Sequence, residues 1–270
     1  MPLAVSRSGR GADLVCAHGW GLSGAVWEPL AERIGDRVRV HAADLPGHGA
    51  TPAGAVGLNN WTDELVAAAP DKAVYLGWSL GGLLCLNAAR RHPDRVAGLI
   101  LVATLPRMLR AGDWPYGMRA SAVAETARGL REDYVTTLQE FLMLQVLAEP
   151  GARHLIRRLR NDLLSRPPAR EGLERGLDIL HEADLRSALP SIDVPALVIA
   201  GERDRMCHPE GMARMAEALP RGELWRVERA AHAPFLSHER DFAERVAGFV
   251  ADVQKDANHR GTEGTGKKSG

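Results

Sequence analysis

An α/β fold with a mostly parallel central sheet, helices on both faces and an inserted helical lid is predicted by three observations. Short apolar runs alternate with helical patterns, one of those runs ends in a Gly-Ser-Gly turn, and the alternation breaks once for a long helical stretch. Strand-like runs fall near Leu14–Ala17, Val38–Ala43, Ala73–Gly77, Val96–Val102, Ala196–Gly201 and Leu224–Val227. Each is short, rich in Val, Ile or Leu, and bounded by turn residues. Helical patterns such as Leu80–Arg91 and Glu210–Leu219 separate them, and this order favours parallel strands joined by crossover helices. Residues 106–182 carry helical patterns and no convincing strand, which marks the lid; the core is then 1–105 with 183–252. A chain of 270 residues that is 45% hydrophobic can bury one large core. Residues 253–270, ending DANHRGTEGTGKKSG, are Gly-rich and poor in apolar side chains, so a disordered, non-catalytic tail is expected there.

The chemistry is concentrated in Val74–Leu86, VYLGWSLGGLLCL. The pattern G-x-S-x-G over 77–81 is common in Gly-rich turns, but here a strand pattern precedes it and an apolar helix pattern follows at once. That context defines a nucleophile elbow, with Ser79 exposed at the sheet edge and Gly77 and Gly81 relieving the crowding around it. A serine hydroxyl is a weak nucleophile without a base, and the partners follow in the order this elbow requires, Ser, then Asp, then His. Asp204 lies in the loop past the run PALVIAG, and His232 lies in the loop after Leu224–Val227. Glu202 competes for the acid but sits closer to its strand end. His238 stands where a C-terminal helix pattern begins, which capping explains. His232 would take the Ser79 proton and return it to the leaving group, while Asp204 holds the imidazole tautomer. Backbone N–H groups of Leu80 and of Trp20, in HGWG at 18–21, are expected to form the oxyanion hole. His48, in DLPGHG at 44–49, reads as a satisfied loop histidine.

Balanced charge, formally zero, gives no reason to expect nucleic acid or a membrane surface as partner. Cys16, Cys85 and Cys207 are odd in number and widely spaced, so neither a disulfide framework nor a metal site is expected, and a reducing cytoplasm is the simpler setting. No apolar leader or membrane-length run is visible. The expected protein is a soluble cytoplasmic monomer using neither metal nor organic cofactor.

Within the lid, Tyr134, Val135, Leu138, Phe141, Leu142, Gln145 and Val146 fall on one helical face whose underside is expected to meet Ser79. The next segment carries Arg153, Arg157, Arg158, Arg160, Arg166 and Arg170 opposed only by Asp162. Such a face is either solvated surface or a grip for an anionic substrate or partner.

The set HGWG at 18–21, GWSLGG at 77–82, the Asp204 loop and AAHAPFLSH at 230–238 resembles the α/β-hydrolase family that demethylates pimeloyl-acyl-carrier-protein methyl ester in biotin synthesis. The resemblance covers nearly the whole chain except the tail. It implies a substrate site lined by Trp20, Ser79, Leu80, the stretch Phe141, Leu142, Met143, Leu144 and Gln145, and His232. It further implies lid arginines that hold the acidic carrier protein, with Arg153 and Arg157 at matching positions; Glu140 departs from the pattern, standing where an arginine is expected. The resulting expectation is a serine carboxylesterase acting on the methyl ester through an acyl-enzyme. The alternatives are a broad-specificity short-chain carboxylesterase of the same fold, with surface arginines only, and a non-catalytic binding module, against which the intact Ser79, Asp204 and His232 argue.

Overall fold

The computed structural model describes residues 2–147, 149 and 151–265, with Asp162 and the last eight of them by backbone alone. Seven strands form one sheet in the order β1-β3-β2-β4-β5-β6-β7. They are β1 (Val5–Ser8), β2 (Ala12–Ala17), β3 (Val38–Ala43), β4 (Ala73–Trp78), β5 (Val96–Val102), β6 (Ala196–Gly201) and β7 (Gly222–Val227). Six of them match the apolar runs of the sequence. The seventh, β1, pairs antiparallel with β3 at the sheet edge, whereas all other pairings are parallel. Its sequence VSRS carries one apolar residue, and its last three residues are exposed, so it has no apolar signature to detect.

Strands β4 and β6 are buried along their whole length, which is why they read as continuous apolar runs. Helix α1 (Glu28–Ile34) packs with α10 (Glu239–Thr265), and α2 (Leu58–Ala68) packs with α3 (Leu80–Arg91), which lies on β4 and β5. Helix α8 (Pro209–Ala218) covers β6 and β7, and the short α9 (Pro234–Ser237) precedes α10. Because the central strands are parallel, their C-terminal ends share one edge, and loops there converge as in other open α/β sheets. Register makes this concrete: Ala17 lies opposite Gly77, Trp78 opposite Val102, and Gly201 opposite Val227.

Between β5 and β6 the chain inserts α4 (Ala120–Glu132), α5 (Tyr134–Val146), α6 (Ala152–Ser165) and α7 (Arg170–Glu182). The insertion opens with a non-helical stretch held by isolated bridges, Leu109 with Met118 and Ala111 with Trp114. Its two ends are fastened together. Leu185 N–H donates to Pro106 O at 2.8 Å, and Arg107 pairs with Asp184 at 2.8 Å. Arg186 joins Asp184 to Asp113 and lies over the Trp114 ring. The Arg186 guanidinium holds the Asp184 carboxyl well below the usual carboxylate range.

The C-terminal segment differs from expectation. Helix α10 continues through Thr265, so residues 253–265 are helical; 266–270 lie outside the described residues. Phe242, Val246, Val250 and Val253 are buried at helical spacing, and Arg221 pairs with Asp256 at 2.7 Å. The apolar face and this ion pair thus carry the helix past 252, beyond what Gly content suggests.

Helix α7 reaches the core loops through small residues. A Cβ on Gly172 would lie 2.6 Å from Gly47 Cα, and one on Gly176 would lie 2.8 Å from the Trp20 ring. Gly172→Ala is therefore expected to lower the melting temperature, even though alanine favours a helix by roughly 1 kcal/mol. Thermal unfolding of the variant checks this; a rise in the midpoint would show that α7 yields freely.

Candidate active site

Ser79 occupies the junction of β4 and α3 with φ 53° and ψ −115°, a conformation that costs a non-glycine residue roughly 1–3 kcal/mol. Its surroundings impose that geometry. Ser79 N–H donates to Val102 O at 3.0 Å, and Ser79 O accepts from Thr104 Oγ1 at 2.8 Å and from Gly82 N–H at 2.9 Å. A Cβ at Gly77 would fall 2.4 Å from Gly81 O, and one at Gly81 would fall 2.3 Å from Ala17 O. The turn closes only with glycine at both positions.

Asp204 and His232 come together in the order the sequence suggests. His232 Nδ1–H donates to Asp204 Oδ2 at 2.8 Å, and both side chains are buried. Asp204 Oδ1 accepts the N–H groups of Met206 and Cys207, at 2.8 and 2.9 Å, so three hydrogen bonds hold the carboxylate. Glu202 faces outward and caps Arg229 N–H instead. His238 bonds Ser237 in a half-buried setting. The opposite ring nitrogen, His232 Nε2, is buried without a hydrogen-bond partner, so it does not yet bond Ser79. Such contacts are often loose without substrate and tighten when it binds.

Asp204, Cys207 and His232 also place potential metal ligands within 4.8 Å of one another. Their chemistry fits a hydrogen-bonded cluster better. Burial pushes the Cys207 thiol up and keeps it protonated, whereas a metal needs the thiolate, and both Asp204 oxygens already accept hydrogen bonds. Cys16 and Cys85 are likewise buried, with raised thiols.

The His232 loop is held from both sides. Trp78 Nε1–H donates to His232 O at 2.8 Å from the core. From the insertion, Gln145 O accepts His232 N–H at 3.0 Å, and Glu149 Oε1 accepts Ala231 N–H at 2.7 Å. Burial raises the Glu149 carboxyl above its ordinary value. No local sequence signal marks Glu149, because its partner is a backbone group 82 residues away.

On the other side of Ser79 stands the HGWG loop. Leu80 is the first residue of α3, so its N–H has no acceptor within the helix. Trp20 N–H makes no loop or turn backbone bond among the described residues. The Trp20 indole reaches α7, donating to Leu173 O at 2.8 Å, and meets Phe141 edge-on at 4.5 Å. Two histidines brace the loop. His18 Nδ1–H donates to Gly19 O while Nε2 accepts Leu45 N–H; His48 Nδ1–H donates to Pro46 O while Nε2 accepts Gly21 N–H. Both rings are therefore neutral, and burial lowers them to about 4 and about 3.

The expected lining is only partly assembled. Phe141, Leu142 and Gln145 are buried on one face of α5, and Leu144 borders an apolar cavity under the insertion. Met143 is 42% exposed and Val135 54% exposed. Five consecutive residues of a helix cannot share one face, which turns Met143 away from the lining, and Val135 in the first turn of α5 faces outward as well. Arg153 and Arg157 are exposed one turn apart on α6. Arg158 is not part of an open basic face, because it pairs with Glu239 of α10.

The chain belongs to the alpha/beta hydrolase fold family, whose model matches residues 14–239. Within that class it is 43% identical over 251 residues to a pimeloyl-[acyl-carrier protein] methyl ester esterase of Chromobacterium violaceum, covering 92% of this chain and 97% of that one. The protein of the same name from Stenotrophomonas maltophilia strain K279a is 40% identical over 249 residues, covering 92% and 96%. Among solved structures, an esterase from Exiguobacterium antarcticum superposes with a TM-score of 0.85 at 24% identity, covering 92% of this chain and 95% of that one, a likeness of fold.

The neutral histidines set a pH dependence. An unfolded imidazole titrates near ~6.5, so between that pH and about 4 the unfolded chain binds more protons than the folded one. Stability is then full above pH ~6.5 and falls as the pH drops through this window. His48→Gln removes one such proton and is expected to make urea-derived stability less steep with pH there, by up to about 1.4 kcal/mol per pH unit. Identical pH profiles for the variant and the parent would show that His48 is not held neutral.

Proposed function

We propose that this protein hydrolyses the methyl ester of pimeloyl-acyl-carrier-protein methyl ester, releasing methanol and pimeloyl-acyl carrier protein, in the cytoplasm as a step of biotin biosynthesis. The observation that carries this reading is the likeness to relatives of that name, at 36–43% identity along nearly the whole chain. Among the described residues no helix is long and apolar enough to cross a membrane.

Ser79 Oγ attacks the ester carbonyl and His232 Nε2 takes its proton, while Asp204 steadies the imidazolium. The N–H groups of Leu80 and Trp20 hold the tetrahedral oxyanion, each donor contributing roughly 3–4 kcal/mol. Collapse breaks the C–O bond, and His232 returns the proton to the departing methoxy group as methanol. Water, deprotonated by His232, then attacks the Ser79 ester and frees the carboxylate. Residues 106–182 act as a lid over this site. The distal methyl ester has to reach Ser79 while the more activated thioester is kept away from it, a selection suited to the apolar space under α5. Exposed Arg153 and Arg157 give the acidic carrier a docking face.

Ser79→Ala is expected to abolish fluorophosphonate labelling and to lower ester hydrolysis by several orders of magnitude, with Asp204→Asn also severe. Mass spectrometry that places the label on another serine would overturn the assignment. Arg153→Glu combined with Arg157→Glu should raise KM for the carrier-bound ester relative to that for a free short ester, and added salt should reproduce the trend in the parent protein. Equal effects on both substrates would instead favour a broad-specificity carboxylesterase.

A further inference from the structure

Between the insertion and the acid loop lies a cavity of about 360 Å³ that does not include Ser79. Its floor is apolar, with Phe141 from α5 and Leu177 and Leu180 from α7. Phe141 also packs on Trp20, and Ala231, which borders the cavity, directly precedes His232. The cavity therefore abuts the Trp20 and His232 loops through Phe141 and Ala231.

Its rim has a different chemistry. Arg110, Arg119, Arg203 and Arg205 border it, all exposed, and no carboxylate does. Neighbouring acids are engaged elsewhere: Asp204 is buried against His232, Met206 and Cys207, and Glu202 accepts from Arg229 N–H. Arg110 is anchored through Nε to Gly117 O at 2.7 Å, and Arg119 and Arg205 form no ion pair among the described residues. Like charges gathered at one mouth repel one another and raise the local positive potential, which an anion relieves. All four are arginines, whose planar forks match the paired oxygens of a phosphate.

The geometry points to this mouth as the seat of the phosphate of the carrier's phosphopantetheine arm, with the apolar cavity receiving the acyl end of the arm. This rests on the function proposed above and deepens it: Arg153 and Arg157 meet the carrier protein, whereas the rim arginines meet its prosthetic group. A slender arm with a single anionic group fits an apolar bore with a cationic rim. A neutral short ester uses the bore alone.

The test compares two small thioesters of monomethyl pimelate, one on 4′-phosphopantetheine and one on pantetheine, with neither carrying the protein. The parent chain is expected to show a KM about tenfold or more lower for the phosphorylated thioester, the scale of charge-assisted bidentate hydrogen bonds. Arg119→Gln with Arg205→Gln should collapse that ratio toward one. Calorimetry with phosphopantetheine and pantetheine themselves should show the same discrimination and the same loss, and it reads the site even in a chain that cleaves neither thioester. Equal binding of the two arms by the parent, or discrimination that survives in the double variant, overturns the inference. An inability to cleave either methyl ester, with discrimination between the free arms intact, would count against the proposed function alone. Added inorganic phosphate should compete with the phosphorylated arm only; competition against both arms would place the anion elsewhere.

Discussion

The left-handed backbone at Ser79 is the constraint on which the site depends. A residue with φ 53° resists that conformation, and its neighbours supply what offsets the strain. Parallel pairing of β4 with β5 brings Val102 O to the Ser79 N–H, and Thr104 closes on its carbonyl. Helix α3 follows at once, burying Leu80, Leu83, Leu84 and Leu86. Burial of such side chains, at roughly 1.5–3 kcal/mol each, outweighs the strain several times over. Strand, turn and helix are thus one unit, and the absence of a Cβ at 77 and 81 is what lets them close.

The other groups are oriented mostly through backbone contacts. His232 is fixed at its N–H by Gln145, at its carbonyl by Trp78, and at its ring by Asp204. The HGWG loop is fixed by two imidazoles, each accepting one backbone N–H and donating to one backbone carbonyl. A proton added to either acceptor nitrogen would aim N–H at N–H inside a dry core, which is why burial holds both rings neutral. The residues that hold the chemistry in place outnumber those that carry it.

Much of this was legible in the sequence because its signals are local. Six strands are apolar runs, and the elbow, the acid loop and the histidine loop each follow such a run directly. Strand β1 was not legible, since an edge strand with one apolar residue forms through pairing with β3 and not through burial. The helical end of the chain was missed because its support, Arg221 on Asp256, comes from a distant segment. Glu149 escaped for the same reason: its partner is a backbone group brought near by folding. Residues 110, 119, 203 and 205 look like scattered surface charge along the chain, and only the packing of the insertion on the acid loop gathers them.

The fastening at Pro106–Arg107 and Asp184–Leu185 bears on how such a protein can diversify. The chain leaves the sheet and returns to it at one spot, already tied by a backbone hydrogen bond and an ion pair. The entropy of closing the excursion grows only with the logarithm of its length, so lengthening or replacing it costs the sheet little. Selection can then rewrite what enters the site by exchanging the segment between the two tethers, while the elbow and its strands keep their register. The points where that segment touches the site loops, Gln145 O and Glu149 on the His232 loop and Leu173 O on Trp20, must be reproduced by any replacement.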